Sequence, residues 1–501
     1  MDTIKKTSAT GREPLNFDLL LFGATGDLAA RKIMPALFER SRTQELHADC
    51  RFIGLARQAL SSSEFTALIH SKVRPFLAEA CSDEDWQLFV DRWHYVCVEQ
   101  LNPAMHTVQS MVRSDAVRVA YLATPPSLFI QLVQGMADAQ LISPSTRVVL
   151  EKPLGKDLYS AQAINVAVAQ HVPESQIYRI DHYLGKESVQ NLLALRFGNI
   201  LFEPLWRREW VSDVQITLAE DLGLAGRAGY YDGVGALRDM VQNHLLQLLA
   251  IVAMEPPNTM SADAVRDEKL KVFKALKPMT PERVAACVVR GQYRAGAINT
   301  KTGSEPAVGY LDEGGVPAGS KTETFVAIKA EIDNWRWAGV PFFLRTGKRM
   351  ATKSAEIMVR FKPLPTHILP LSQFSTGEPR HPNRLLIKLG PEEALEFSLM
   401  TKKPGDGMRL SSVGLGLDFD EVFTTRRMEA YERLLTDVVR GQLTLFTRAD
   451  ELEAAWRWID PIVAAWDAQD EAPKPYAAGS WGPAAASGLM AKENLQWREE
   501  I

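Results

Sequence analysis

Six short apolar runs recur along the first 182 residues of the chain: DLLLFG, RFIGLAR, HYVCVEQ, RVAYLATPP, RVVLEKP and QIYRID. Each is separated from the next by a stretch long enough for a helical crossover, which is the rhythm of a parallel sheet. The pattern predicts strands near residues 18–23, 51–56, 93–98, 118–123, 147–151 and 176–181. Beyond residue 183 apolar residues alternate with polar ones instead, at Val214, Ile216 and Leu218, at Ile357, Val359 and Phe361, and at Leu385, Ile387 and Leu389. Such alternation fits antiparallel strands with one covered face. Between them ALRDMVQNHLLQLLAIVAM is apolar nearly all round beyond His244 and is stopped by Pro256-Pro257, which reads as a buried helix.

The expected fold is therefore α/β plus α+β. A doubly wound, six-stranded Rossmann-like nucleotide domain over 1–182 is followed by a larger domain over 183–501 with an antiparallel sheet and buried helices. A length of 501 residues suits two domains better than one core. GYLDEGGVPAGS reads as a surface loop, the tail from Ala472 as a segment wrapping the surface, and no internal repeat is visible.

Charge narrows the partners. Lys plus Arg total 57 against 61 Asp plus Glu, so no overall basic field draws nucleic acid or an anionic membrane, and neither is expected as a partner. Cys50, Cys81, Cys97 and Cys287 are scattered without the close pairs of a zinc site or redox dithiol. They read as reduced, mostly buried thiols, and no metal is expected. The opening MDTIKKTSATGREP lacks the apolar stretch of a secretory signal, and no later run reaches membrane-spanning length, so a cytoplasmic location is expected.

Directly after the first strand comes the turn Gly23-Ala24-Thr25-Gly26-Asp27-Leu28, whose glycines let the backbone approach a pyrophosphate at a helix N-terminus. Pro35 cannot donate inside the helix that follows, which is expected to break and restart there. The second strand ends in Gly54-Leu55-Ala56-Arg57, where an acidic residue would grip the ribose of NAD. Arg57 suits a 2′-phosphate, so NADP is favoured over NAD and use of both stays open. Arg31 and Lys32 are further candidates for phosphate contact.

Two strand ends carry polar residues without need in a purely structural strand: Glu151-Lys152-Pro153 and Asp181-His182-Tyr183. In a doubly wound sheet such ends open onto the ligand crevice. Lys152 offers a point charge to a sugar hydroxyl or to the cofactor, and Pro153 fixes a turn, with a cis peptide as one option. A helix starting near Gly185 would place Lys186 in its first turn, gathering His182, Tyr183 and Lys186 into a dianion site. For dehydrogenation of a hemiacetal the candidate base is His244, because imidazole titrates near neutrality. Asp239 lies five residues earlier, about 140° away on an ideal α-helix, so it suits a sugar hydroxyl and leaves Asp181 to orient His244.

In order along the chain, GATGDLAARK, EKPLGKDL, RIDHYLGKE and GALRDMVQNHLLQ resemble the glucose 6-phosphate dehydrogenase family, RIDHYLGKE most specifically. The resemblance extends to ITLAEDLGLAGRAGYYD, VPFFLRTGKR, YERLLTDVVRGQLTLF and YAAGSWGP, and so spans nearly the whole chain. It implies His244 as general base with Asp181 as partner, phosphate held by His182, Tyr183 and Lys186 with help from Lys348, and sugar hydroxyls bound by Lys152, Glu220 and Asp239. It also implies the Gly23 to Leu28 turn and Arg57 as the cofactor site, 6-phosphoglucono-δ-lactone and NADPH as products, and a homodimer or homotetramer joined through the large sheet. One departure stands out: Leu389-Gly390-Pro391 replaces the family's frequent Ile-Gln-Pro. Two rival readings are an oxidoreductase of the glucose-fructose type and a non-catalytic NADP-binding sensor. The basic cluster has no purpose for a neutral sugar, and intact Asp181 and His244 speak against a sensor.

Overall fold

The computed structural model describes residues 13–77, 81–300, 303–366, 383–423 and 426–500. The polar opening segment therefore falls largely outside the described residues. Two compact units are present, and the first is discontinuous: it joins Met1–Lys186 to Thr259–Arg266 and Arg427–Glu453. A single cut at residue 182 thus does not delimit it.

Its sheet contains β1 (Phe17–Phe22), β2 (Arg51–Ala56), β3 (Trp93–Cys97), β4 (Val117–Leu122), β5 (Thr146–Leu150) and β6 (Ile177–Ile180), each within a residue or two of its expected place. All five contacts among these strands are parallel, in the order 6-5-4-1-2-3. Chain order reverses between β1 and β4, the place where a doubly wound sheet opens a ligand crevice. A seventh strand absent from the sequence reading, Phe446–Thr447, runs antiparallel to β6. It is anchored by Phe446 edge-on to Tyr178, with ring centroids 4.9 Å apart.

The helix Ala430–Arg440 explains why that late segment belongs here. Leu434, Leu435, Val438 and Val439 form its apolar stripe and join the cluster of Leu19, Val119 and Tyr121. Gly441, at φ +74°, ends the helix in the left-handed region, and Arg147 of β5 donates to the orphan carbonyls of Val438 and Val439.

The second unit comprises Glu187–Asn258, Asp267–Arg426 and Ala454–Ile501. Its nine-stranded sheet runs in the order Leu410–Asp418, Glu393–Lys402, Arg384–Gly390, Ser354–Phe361, Val211–Ala219, Pro341–Gly347, Phe325–Glu331, Val288–Arg294, Lys474–Ala477. The alternation read from sequence appears as register: Ile216, Ile357 and Ile387 lie side by side, as do Val214, Val359 and Leu385. Two pairings depart from an antiparallel sheet. Val211–Ala219 is parallel to Pro341–Gly347, and Lys474–Ala477 is parallel to Val288–Arg294.

The opposite, polar face is buried as well, because the tail covers it. Gln215 donates to the Gln496 carbonyl at 2.9 Å and accepts the Arg498 N–H at 3.2 Å. Arg345 pairs with Glu499 and lies 4.1 Å from the buried Trp497 ring. The tail that the sequence reads as wrapping the surface thus supplies an edge strand and a cover for this face.

The buried helix is real but its geometry changes midway. Leu237–Leu245 is a π-helix, continuing as the α-helix Leu246–Ala253, whose residues are all buried. Its end before Pro256 is closed by donors from outside: Trp206 to the Val252 carbonyl, Trp337 to Ala253, and Arg196 to Ile251 and Met254. No helix among the described residues is long and apolar enough to cross a membrane. All four cysteines are free, Cys50 and Cys287 buried, Cys81 and Cys97 partly exposed.

Candidate active site

The first unit carries its candidate residues at the carboxyl ends of its strands. Gly23 follows β1 at φ +82°, and a Cβ there would stand 2.4 Å from the Ala123 carbonyl oxygen, so the turn sits on the neighbouring chain at the point of order reversal. Gly23 and Ala24 donate to the Leu55 carbonyl at 2.8 and 3.2 Å, and Gly26 donates to Gly23 at 2.9 Å. Together these bonds fix the turn against the end of β2, two residues from Arg57. The Arg57 loop is held from β3, Tyr95 donating to the Gln58 carbonyl at 2.5 Å and Cys97 to that of Arg57 at 3.6 Å. The helix beyond the turn changes from π to α geometry at Met34, which puts Pro35 in the first turn of the α segment, the restart expected from sequence. Arg31 pairs with Asp27 at 2.6 Å and lies over Phe76. Lys72, unremarked in the sequence, donates to the Thr25 carbonyl inside the turn at 3.1 Å.

At the end of β5 the Lys152-Pro153 peptide is cis. Glu151 beside it is buried and accepts the Tyr121 hydroxyl. Burial pushes its carboxyl above the usual range, against the pull of the Tyr121 and Tyr431 hydroxyls and the Lys152 charge. After β6, buried Asp181 folds the chain back on itself, its Oδ1 accepting the Tyr183 N–H at 3.0 Å. That turn gathers the basic cluster: the His182 and Tyr183 rings lie 4.9 Å apart, and the Lys186 ammonium stands 4.6 Å over the Tyr183 ring. The following helix starts at Glu187, so Lys186 immediately precedes it rather than lying in its first turn. Tyr431 stacks on His182 with centroids 6.1 Å apart, a neighbour that no local sequence signal announces.

In the second unit the parallel pairing does the gathering. Register places Ala219 opposite Gly347, so the next residues, Glu220 and Lys348, emerge side by side. Lys348 Nζ meets Glu220 Oε2 at 2.6 Å and lies 4.9 Å from the Tyr231 ring. The lysine backbone is fixed at both ends, its N–H donating to Thr324 at 2.9 Å and its carbonyl accepting the Tyr476 hydroxyl at 2.6 Å. Burial, and after it the nearby charges of Asp239, Glu323 and Glu220, push the Tyr231 phenol well above its ordinary range. Asp239, Glu220, Lys348 and Tyr231 therefore share one neighbourhood.

His244 is fully buried on the same helix as Asp239. Here the ideal-helix expectation fails. The Leu246 N–H is shared between the Asn243 carbonyl and, five residues back, the Val241 carbonyl, and the wider π turn sets residues five apart closer in direction than the about 140° of an ideal α-helix. Asp239 and His244 are such a pair. In the strand departing from the family pattern, Gly390 has φ +153° and a cis peptide to Pro391.

Two family descriptions match in succession: "Glucose-6-phosphate dehydrogenase, NAD binding domain" over residues 20–191 and "Glucose-6-phosphate dehydrogenase, C-terminal domain" over residues 193–498. A glucose-6-phosphate 1-dehydrogenase of Rhizobium meliloti (strain 1021) is 48% identical over 492 residues, 97% of this chain and 98% of that one. Among solved structures, the chain is similar to a glucose-6-phosphate 1-dehydrogenase from Mycobacterium avium, with a TM-score of 0.82 at 35% identity over 96% of this chain and 99% of the other. It is also similar to a glucose-6-phosphate dehydrogenase in complex with its substrate glucose-6-phosphate, with a TM-score of 0.86 at 33% identity over 97% and 99%. The chain belongs to the glucose-6-phosphate dehydrogenase family.

Proposed function

We propose that the chain oxidises glucose 6-phosphate to 6-phosphoglucono-δ-lactone with NADP as hydride acceptor, the first step of the oxidative pentose phosphate pathway, in the cytoplasm. The observation that carries the reading is near-full-length kinship to such dehydrogenases in a chain whose charged motif residues are all present.

The residues fit a dinucleotide. The turn from Gly23 to Leu28 presents bare backbone at a helix start, at the point of order reversal, which suits a pyrophosphate. A bound nicotinamide nucleotide supplies the hydride acceptor. Exposed Arg57 stands where an acidic residue would favour NAD, and it supports a 2′-phosphate, with NAD as a second cofactor. His182, Tyr183 and Lys186, assisted by Lys348, hold the sugar phosphate. Lys152, Glu220 and Asp239 bind sugar hydroxyls, and Lys152 also serves the cofactor. His244 takes the proton from the anomeric hydroxyl as hydride leaves the same carbon, with Asp181 stabilising the imidazolium.

A homodimer or homotetramer accompanies this reading. Val413, Leu415 and Leu417 project at alternate positions from the strand Leu410–Asp418 and are all exposed, an apolar stripe suited to a second copy.

The test is a steady-state assay of both nicotinamide nucleotides with glucose 6-phosphate and with glucose. NADP reduction is expected with the phosphorylated sugar and far less with glucose; equal rates on the two sugars would remove the phosphate assignment. Arg57→Gln is expected to raise the KM for NADP about tenfold while leaving that for NAD nearly unchanged, consistent with loss of one charge-assisted contact. A parallel change in both would take Arg57 out of the 2′-phosphate site.

A further inference from the structure

The segment Glu323-Thr324 is bonded to the elements of the second unit that carry the candidate site residues. The Glu323 carbonyl accepts the Ala236 N–H at 3.0 Å and the Tyr231 hydroxyl at 3.3 Å, and its Oε1 accepts the Leu237 N–H at 3.0 Å. One residue on, the Thr324 carbonyl accepts the Lys348 N–H at 2.9 Å, and Lys348 in turn pairs with Glu220. The glutamate is only 8% exposed. Close approach of its carboxylate is built into the backbone: Gly235 has φ +70°, and a Cβ at that position would stand 2.3 Å from Oε1.

The first N–H groups of a helix lack intrahelical partners and carry partial positive charge, so a carboxylate there satisfies a donor and holds the helix end electrostatically. The helix so held is Leu237–Leu245, the one bearing Asp239 and His244. Neither the π segment nor the α segment after it has a side-chain cap of its own at its N-terminus. Glu323 reaches that end from a distant part of the sequence.

We propose that Glu323 is a positioning residue of the dehydrogenase. By gripping the first turn of Leu237–Leu245 it sets the height and rotation of Asp239 and His244 against the neighbouring Glu220 and Lys348, without touching substrate. The inference rests on the roles given above to Asp239 and His244.

The test compares Glu323→Gln, which keeps an acceptor oxygen for the Leu237 N–H, with Glu323→Met, which removes the acceptor at similar volume. Both are made in the full-length enzyme, with kcat and KM measured for glucose 6-phosphate and NADP well below each variant's melting temperature. Glu323→Gln is expected to hold kcat within about threefold, and Glu323→Met to lower it about 10–100-fold, the scale of misplacing reacting groups by an ångström. KM for NADP should stay within about twofold, since the proposed cofactor residues belong to the first unit. Equal kcat in the two variants overturns the proposal, as does a loss that vanishes when rates are normalised to folded protein. An unchanged turnover in His244→Ala would instead remove the role of His244 itself, so the two failures are distinguishable.

Discussion

Lys348→Met isolates the phosphate preference. In the structure the ammonium is held by Glu220 at 2.6 Å and by the Tyr231 ring, with its backbone fixed by Thr324 and Tyr476, so its loss removes a placed charge rather than a mobile one. A hydrogen bond involving a charged group contributes about 1.5–3 kcal/mol, which corresponds to about 10–150-fold in kcat/KM. The substitution also leaves Glu220 without its cation, and a carboxylate facing a dianion repels it, which pushes the result toward the upper end. Free glucose carries no phosphate and escapes both effects. The ratio of kcat/KM for glucose 6-phosphate to that for glucose should therefore fall about 10–150-fold, measured by nucleotide reduction at saturating NADP. Lys348→Met with Glu220→Gln should recover part of the loss by removing the stranded charge. If the ratio does not move, or both sugars lose activity in equal proportion, Lys348 is not a phosphate ligand and serves only to hold Glu220.

His244→Ala is expected to lower kcat by about 10²–10⁴ with KM for glucose 6-phosphate changed little, the signature of a lost proton acceptor, and full turnover would remove it from the chemistry. Trp497→Ala should lower the melting temperature of the second unit by about 5–9 °C, because the ring is buried against Arg345 and donates to the Ala486 carbonyl; calorimetry showing no shift would mean that the tail contributes no stability. In the first unit, burial pushes the Asp437 carboxyl up to about 6, so the folded state retains a proton that the unfolded state has lost, and stability falls as pH rises through that window. Between pH 5 and 7 this costs wild type about 1.4 kcal/mol that Asp437→Asn does not lose, so urea unfolding curves that change in parallel with pH would refute the assignment.

The six parallel strands were legible because each is a short apolar run bounded by turn residues, and that signal is local. Residues 51–56 came out to the residue. What lay outside the signal was everything decided by distant partners. The stripe Leu434, Leu435, Val438 and Val439 announces an amphipathic helix but not the sheet it covers, and a two-residue strand at Phe446–Thr447 has no periodicity to detect. Alternation at Val214, Ile216 and Leu218 identified a covered face, yet said nothing about register or about the direction of the strand on either side, so the parallel partner Pro341–Gly347 was missed. Glu323 sits in GYLDEGGVPAGSKTETF, a segment that resembles the family, but nothing local assigns it a role, which comes only through the backbone it caps.

Direction also explains where the polar residues of both units collect. Parallel strands deliver their carboxyl ends to one edge, so residues just past those ends become neighbours whatever their separation in sequence. Gly23 and Arg57 follow β1 and β2, Lys152 and Asp181 follow β5 and β6, and the same rule brings Glu220 to Lys348 at the parallel pair within an otherwise mostly antiparallel sheet. Asp239 and His244 cannot be assembled in this way, since one helix carries both. An α-helix would turn them about 140° apart, and the wider turns of π geometry reduce that angle. An external carboxylate at the first turn of that helix, supplied by Glu323, is the kind of contact able to hold its register in place.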